Sequence, residues 1–70
     1  MNVIELKYLY TNVNVHVQQR EWCTENFGTE GKSKDELTIE ESWTPLYIKG
    51  SIHWYFANEE DAIMFALRWS

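Results

Sequence analysis

The stretch Ile52-His53-Trp54-Tyr55-Phe56-Ala57-Asn58-Glu59-Glu60-Asp61-Ala62-Ile63-Met64-Phe65-Ala66-Leu67-Arg68-Trp69 decides the fold. It opens as a strand: Ile52, Trp54 and Phe56 share one parity, and His53 and Tyr55 the other. Asn58 then offers a short side-chain acceptor for the first free N–H groups of a helix. Glu59, Glu60 and Asp61 fill the first turn, where those N–H groups favour negative charge. Asp61 stands where a capping box places its acid, with a shorter arm. Helical spacing puts Ala62, Phe65, Ala66 and Trp69 on one face, with Ile63 and Leu67 to one side and Met64 on the far flank. The apolar arc is wider than packing on one sheet requires, and Arg68 suits the negative end of the helix.

Working back from this stretch, Leu46, Tyr47 and Ile48 lead to Lys49-Gly50, a turn that returns the chain antiparallel into Ile52–Phe56. Pro45 cannot donate to a ladder, so the segment around Trp43 belongs at a sheet edge or a strand start. Nearer the N-terminus, Ile4, Leu6, Tyr8 and Tyr10 share a parity opposite Glu5 and Lys7. Val13, Val15 and Val17 alternate with Asn14 and His16, which predicts a second extended run. It would be either the return arm of a hairpin through Thr11–Asn12 or the continuation of one bent, bulged strand. From Gln18 to Phe27 the spacing turns helical, with Trp22, Cys23 and Phe27 on one side and Gly28 suited to the C-terminal cap. Residues 28–42 hold mostly charged and small side chains, with Leu37 and Ile39 the apolar exceptions. They read as an acidic flexible loop or a loop bearing a brief edge strand. The whole, residues 1–70, is one α+β domain. Its expected architecture is a small three- or four-stranded, mainly antiparallel sheet with two helices on one face, in the order β(β)αββα.

At 70 residues a chain buries only about 60% of its extended surface, so its stability needs reinforcement. One cysteine cannot form an internal disulfide. Self-association, most simply as a homodimer, is therefore expected to supplement a core already rich in Trp, Tyr and Phe. No signal peptide is recognised and no apolar run approaches a membrane span, so a cytoplasmic location and no membrane partner are expected. The net charge is −5. Residues 1–34 balance, and the excess of acid falls in residues 35–70. That opposes phosphate binding, which needs a basic patch, and allows attraction to a basic protein surface.

Few residues point to chemistry. Cys23 with His16 or His53 would need a third group to make a nucleophile pair, and Cys23 beside Trp22 reads better as a small packing residue. Cys and His are too few and too scattered for structural zinc. The acids at 59–61 are explained by helix initiation. No phosphate loop is present, no cofactor is expected, and no catalytic set emerges. Tyr, Trp and Met are typical of interface cores, so Trp43, Tyr47, His53, Tyr55 and Met64 are the candidate protein-binding residues. The alternative is a nucleic-acid-associated regulator using exposed rings with Lys7, Arg20, Lys32, Lys34 and Lys49.

Trp54-Tyr55-Phe56, Asn58-Glu59-Glu60-Asp61-Ala62, Phe65 and Leu67-Arg68-Trp69 resemble the endings of small accessory proteins of tailed bacteriophages, a group with no defined common activity. Arg20-Glu21-Trp22-Cys23 followed by Phe27-Gly28 is similar to a helix of the same group. The resemblance implies a viral protein in the host cytoplasm that modulates a host or viral protein by binding it, and it assigns no binding residue.

Overall fold

Ile52, Trp54 and Phe56 are buried together on one face of the central strand. The computed structural model describes residues 3–69. Its elements are β1 (Ile4–Leu9), α1 (Val13–Phe27), β2 (Trp43–Ile48), β3 (Ser51–Phe56) and α2 (Glu59–Trp69). The strands form one antiparallel sheet in the order β1-β3-β2, with Leu6 opposite Trp54 and Pro45 on the other side of that residue. Both helices pack on one face. The α+β class and the single helix-covered face match the sequence reading, with the order resolved to βαββα.

The core joins Cys23 of α1, Trp43 of β2, the inner face of β3, and Ala62 and Phe65 of α2. Phe65 lies 4.7 Å from Trp54 and 5.4 Å from Phe56 between ring centroids. Tyr8 meets it edge-on at 5.5 Å. Each such buried ring contributes about 1.5–3 kcal/mol by leaving water, and tilted ring contacts add to that. The two helices divide the sheet. Phe65 of α2 reaches β1 through Tyr8, whereas α1 reaches β3 through His16–Trp54 and Phe27–Phe56 contacts. The end of α1 is tied to β2 by Trp43 Nε1, which donates to the Gly28 carbonyl at 2.9 Å.

The extended run expected over Val13–Val17 is instead the first turn and a half of α1. Neither the hairpin nor the bent strand forms. Asn12 decides this: its backbone is extended, and its side chain accepts from the Val15 N–H at 3.0 Å, an N-cap. The inner face of α1 carries Val15, His16, Gln19, Trp22 and Cys23, while Val13 and Val17 are exposed. With Gln and His on the buried side and Val on the wet side, the helical periodicity is masked, and the valine alternation mimics a strand. At the other end Gly28, at φ 97°, returns its N–H to the Thr24 carbonyl, the C-terminal role expected for it.

Lys49 and Gly50 both have positive φ, 45° and 84°. Ile48 faces Ser51 across them, so they form the two-residue turn whose twist suits a hairpin. The segment between Gly28 and Trp43 contains no strand, and the short extended piece allowed for Leu37–Ile39 is absent. It consists of turns fastened at several points. Gly31 donates to the Trp43 carbonyl at 2.7 Å, Thr38 and Glu41 exchange hydrogen bonds, and Arg20 pairs with Glu30.

Candidate protein-interaction surface

Strand pairing sets out the face of the sheet that the helices leave open in three rows: Glu5–Tyr55–Thr44, Lys7–His53–Leu46 and Leu9–Ser51–Ile48. The first row is covered at Tyr55 and Thr44 and open at Glu5. Tyr55 and Thr44 are buried, and the Lys34 ammonium lies 5.5 Å from the Tyr55 ring centroid, within cation–π range. Burial pushes the Tyr55 phenol up from its ordinary value, and the Glu5 carboxylate adds to the shift. The middle row is half-covered. His53 Nδ1 lies 2.8 Å from Glu5 Oε2, and the His53 ring stacks beside Tyr55 at 6.5 Å. Hydrogen bonds from His53 and then Tyr55 hold the Glu5 carboxyl below its usual range. The last row is open: Leu9 is 78% exposed, and Ile48 and Leu46 show apolar surface beside it.

The candidate protein-binding residues divide accordingly. Trp43 is wholly buried in the core, and Tyr55 is buried on the open face, so neither presents a surface in the isolated chain. This corrects their reading as surface rings. Trp43 starts an edge strand, yet its side chain shares the inner parity of Phe56, and Tyr55 is roofed by the 28–42 segment. His53 keeps limited access. Tyr47 is 61% exposed on the helix side of the hairpin. Its ring stands edge-on to Tyr10 at 5.3 Å, beside a shallow cleft of about 310 Å³ shared with His16 and Ile52. Met64 is exposed on the outer side of α2, in a different layer from His53 and Tyr55. The structure therefore brings His53 and Tyr55 together, leaves Tyr47 on the same hairpin, and separates Met64.

The sequence reading missed Leu46 and Ile48. They share the parity of His53 and Tyr55 once the strands pair, and that was the signal available. It also left Ile63 and Leu67 as mere extensions of a buried arc, although both are exposed.

The cations divide, with Lys7 and Lys34 on the open face of the sheet and Arg20 on α1. Arg20 Nη2 is held 2.6 Å from Glu30 Oε1 on α1. Lys34 caps the Tyr55 ring, Lys49 sits in the hairpin turn, Lys7 lies opposite His53, and Lys32 is exposed on the loop. Cys23 is fully buried, and burial, with the Asp61 and Glu30 charges, pushes its thiol up to about 12. His16 lies two helical turns away, roughly 10 Å along the axis, and His53 is on the other face of the sheet. Among the described residues no group of three His, Cys, Asp or Glu side chains is placed to hold a metal ion. No described helix is long and apolar enough to cross a membrane.

No family model matches the chain, and neither a curated protein nor a solved structure matches it.

Proposed function

We propose that this chain is a non-enzymatic accessory protein that self-associates as a homodimer and modulates a host or viral protein by binding it. One observation carries the reading. The β2–β3 hairpin shows apolar surface on both of its faces, Leu46 and Ile48 on the open side and Tyr47 on the other. Exposed apolar groups clustered on one strand in this way make a candidate interaction site. The charges nearest that surface are Lys7, in the row of Leu46, and Lys49, in the turn after Ile48, whereas the chain as a whole carries a net charge of −5. The partner's matching surface would be apolar, and the acidic balance of the chain as a whole would draw a basic partner toward it. The bacteriophage resemblance supports a host or viral protein as that partner.

The test is retention from bacterial lysate on immobilised wild-type chain and on a Leu46→Asp/Ile48→Asp variant with an unchanged circular dichroism spectrum. The reading expects a discrete protein held by the wild type, weakened by salt and lost from the variant. Equal retention by both would sink it. Salt-sensitive binding to a single-stranded oligonucleotide that Lys7→Ala and Lys49→Ala abolish would replace it with the nucleic-acid alternative.

A further inference from the structure

We infer that two copies pair antiparallel along the outer edge of β1, centred on Leu6, to make one six-stranded sheet. This deepens the self-association half of the proposed function and rests on it.

The two outer edges of the sheet differ. That of β2 is closed: the Trp43 carbonyl accepts the Gly31 N–H at 2.7 Å, and Pro45 has no N–H to offer. Along β1, Tyr10 N–H donates to the Gly50 carbonyl at 2.9 Å, one step beyond the Leu9–Ser51 pair. Bonded and non-bonded pairs alternate in an antiparallel ladder, so Ile4, Leu6 and Tyr8 turn their backbone groups toward β3. Glu5, Lys7 and Leu9 turn theirs outward, and among the described residues no other segment bonds to them. An edge of this kind is a ready template for another strand.

The side chains on that edge select a second copy and its register. Outward residues can bond only to outward residues, so the possible two-fold registers are few. Centring on Glu5 sets Glu5 against Glu5, and centring on Lys7 sets Lys7 against Lys7. Centring on Leu6 sets Glu5 against Lys7 of the second copy twice, and exposed Val3 against exposed Leu9 twice. The edge is self-complementary in charge and in apolar surface only there.

A second feature lies on the same side of the molecule. Phe65 and Trp69 of α2 meet Trp22 of α1 at 6.1 and 6.4 Å. Ile63 and Leu67 occupy the opposite flank of α2 by helical spacing. Because α2 reaches β1 through Tyr8 and α1 lies toward β2, that flank overlooks the outer edge of β1. Leu67 is 77% exposed and Ile63 51%. A two-fold axis perpendicular to the sheet keeps both helix layers on one side and brings the two flanks together across the seam.

The test is sedimentation velocity on the wild type, Glu5→Lys, Lys7→Glu, an equimolar mixture of the two variants, and Leu67→Glu. The wild type is expected at twice the 8.4 kDa chain mass. Each charge variant alone places like charges opposite each other and is expected to self-associate roughly tenfold more weakly or worse. Their mixture restores two Lys–Glu pairs and is expected to recover the dimer mass as a heterodimer, which also reports that both variants fold. Leu67→Glu, at an exposed site, is expected to weaken the wild-type dimer and keeps the test alive if a charge variant fails to fold. A dimer indifferent to all three substitutions overturns the β1 seam and leaves self-association standing. A wild type that stays monomeric at high concentration overturns both.

Discussion

The indole Nε1 of Trp43 donates to the carbonyl oxygen of Gly28 at 2.9 Å, so the first residue of β2 closes the 28–42 segment onto the end of α1. Trp43→Phe keeps a ring in the core and leaves that carbonyl without its donor. A part-buried carbonyl left unsatisfied costs at most about 1–3 kcal/mol, and the lost ring volume adds a cavity. Urea denaturation is expected to show a lower midpoint, with Trp43→Ala lower still. An unchanged midpoint for both variants would mean that the closure carries no stability.

Gly31 is a second fastening point. A Cβ there would sit 2.6 Å from Leu37 Cδ2, 3.0 Å from the Glu41 carbonyl oxygen and 3.3 Å from that of Trp43. The leucine tip can move but the two carbonyls belong to the backbone. Gly31→Ala is expected to destabilise the chain by about 1–3 kcal/mol through overpacking and to speed amide exchange in residues 29–42. Wild-type exchange rates in the variant would contradict the packing described.

The hairpin turn offers the opposite sign. Lys49 adopts a left-handed conformation at φ 45°, which strains a residue with a Cβ by roughly 1–2 kcal/mol. Asn-Gly is the favoured pair for this turn. Lys49→Asn is expected to raise the thermal midpoint, with a gain of about 0.5–1 kcal/mol. Gly50→Ala, at φ 84° with open space around the added carbon, is expected to lower it through backbone strain alone.

Cys23 is wholly buried, and its thiol is pushed up to about 12. A thiol rather than a thiolate is present at pH 8, and it is shielded from reagents. A disulfide reagent is expected to label the native chain only at the rate of unfolding and to label it at once in denaturant. Fast native labelling would show that the core around Cys23 opens locally.

Acid should weaken the fold in two stages. Burial, helped by Arg20, lowers the pKa of His16 from its ordinary 6.5. Between the folded value and 6.5 the unfolded chain binds more protons, so this contribution is present above that pH and is lost as pH falls through it. Glu5, lowered from 4.5 by His53 and Tyr55, contributes above 4.5 and loses that contribution below it. Thermal midpoints measured against pH are expected to fall first below neutrality and again in the carboxylate range. His16→Phe should flatten the first fall and spare the second; an unaltered first stage would assign it to another group.

Local chemistry made much of the fold legible. The alternation of Ile52, Trp54 and Phe56, the acids at 59–61 and the Lys49-Gly50 turn all act over a few residues, and each element formed where those signals stood. The Asn58 side chain, expected to accept from the first helix N–H groups, instead donates its Nδ2 to Asp61 Oδ2 at 3.2 Å. The start of α1 was hidden because its buried face carries His16, Gln19 and Cys23 while Val13 and Val17 face water, so pattern and burial disagree there. The candidate site was less legible still. Whether Tyr55 is covered depends on a segment of low apolar content folding back over the sheet, and whether Trp43 is buried depends on which face the helices cover, neither of which any periodicity encodes.

By itself, then, the sequence determined the closing strand-and-helix unit, the α+β class and the acidic balance, because caps, turns and alternation are short-range. Tertiary structure alone decided that β3 is central, that Trp43 and Tyr55 are buried, and that Glu5, Lys7 and Leu9 line an open edge. Those outcomes depend on which strands pair and which faces the helices cover, interactions between residues far apart in the chain.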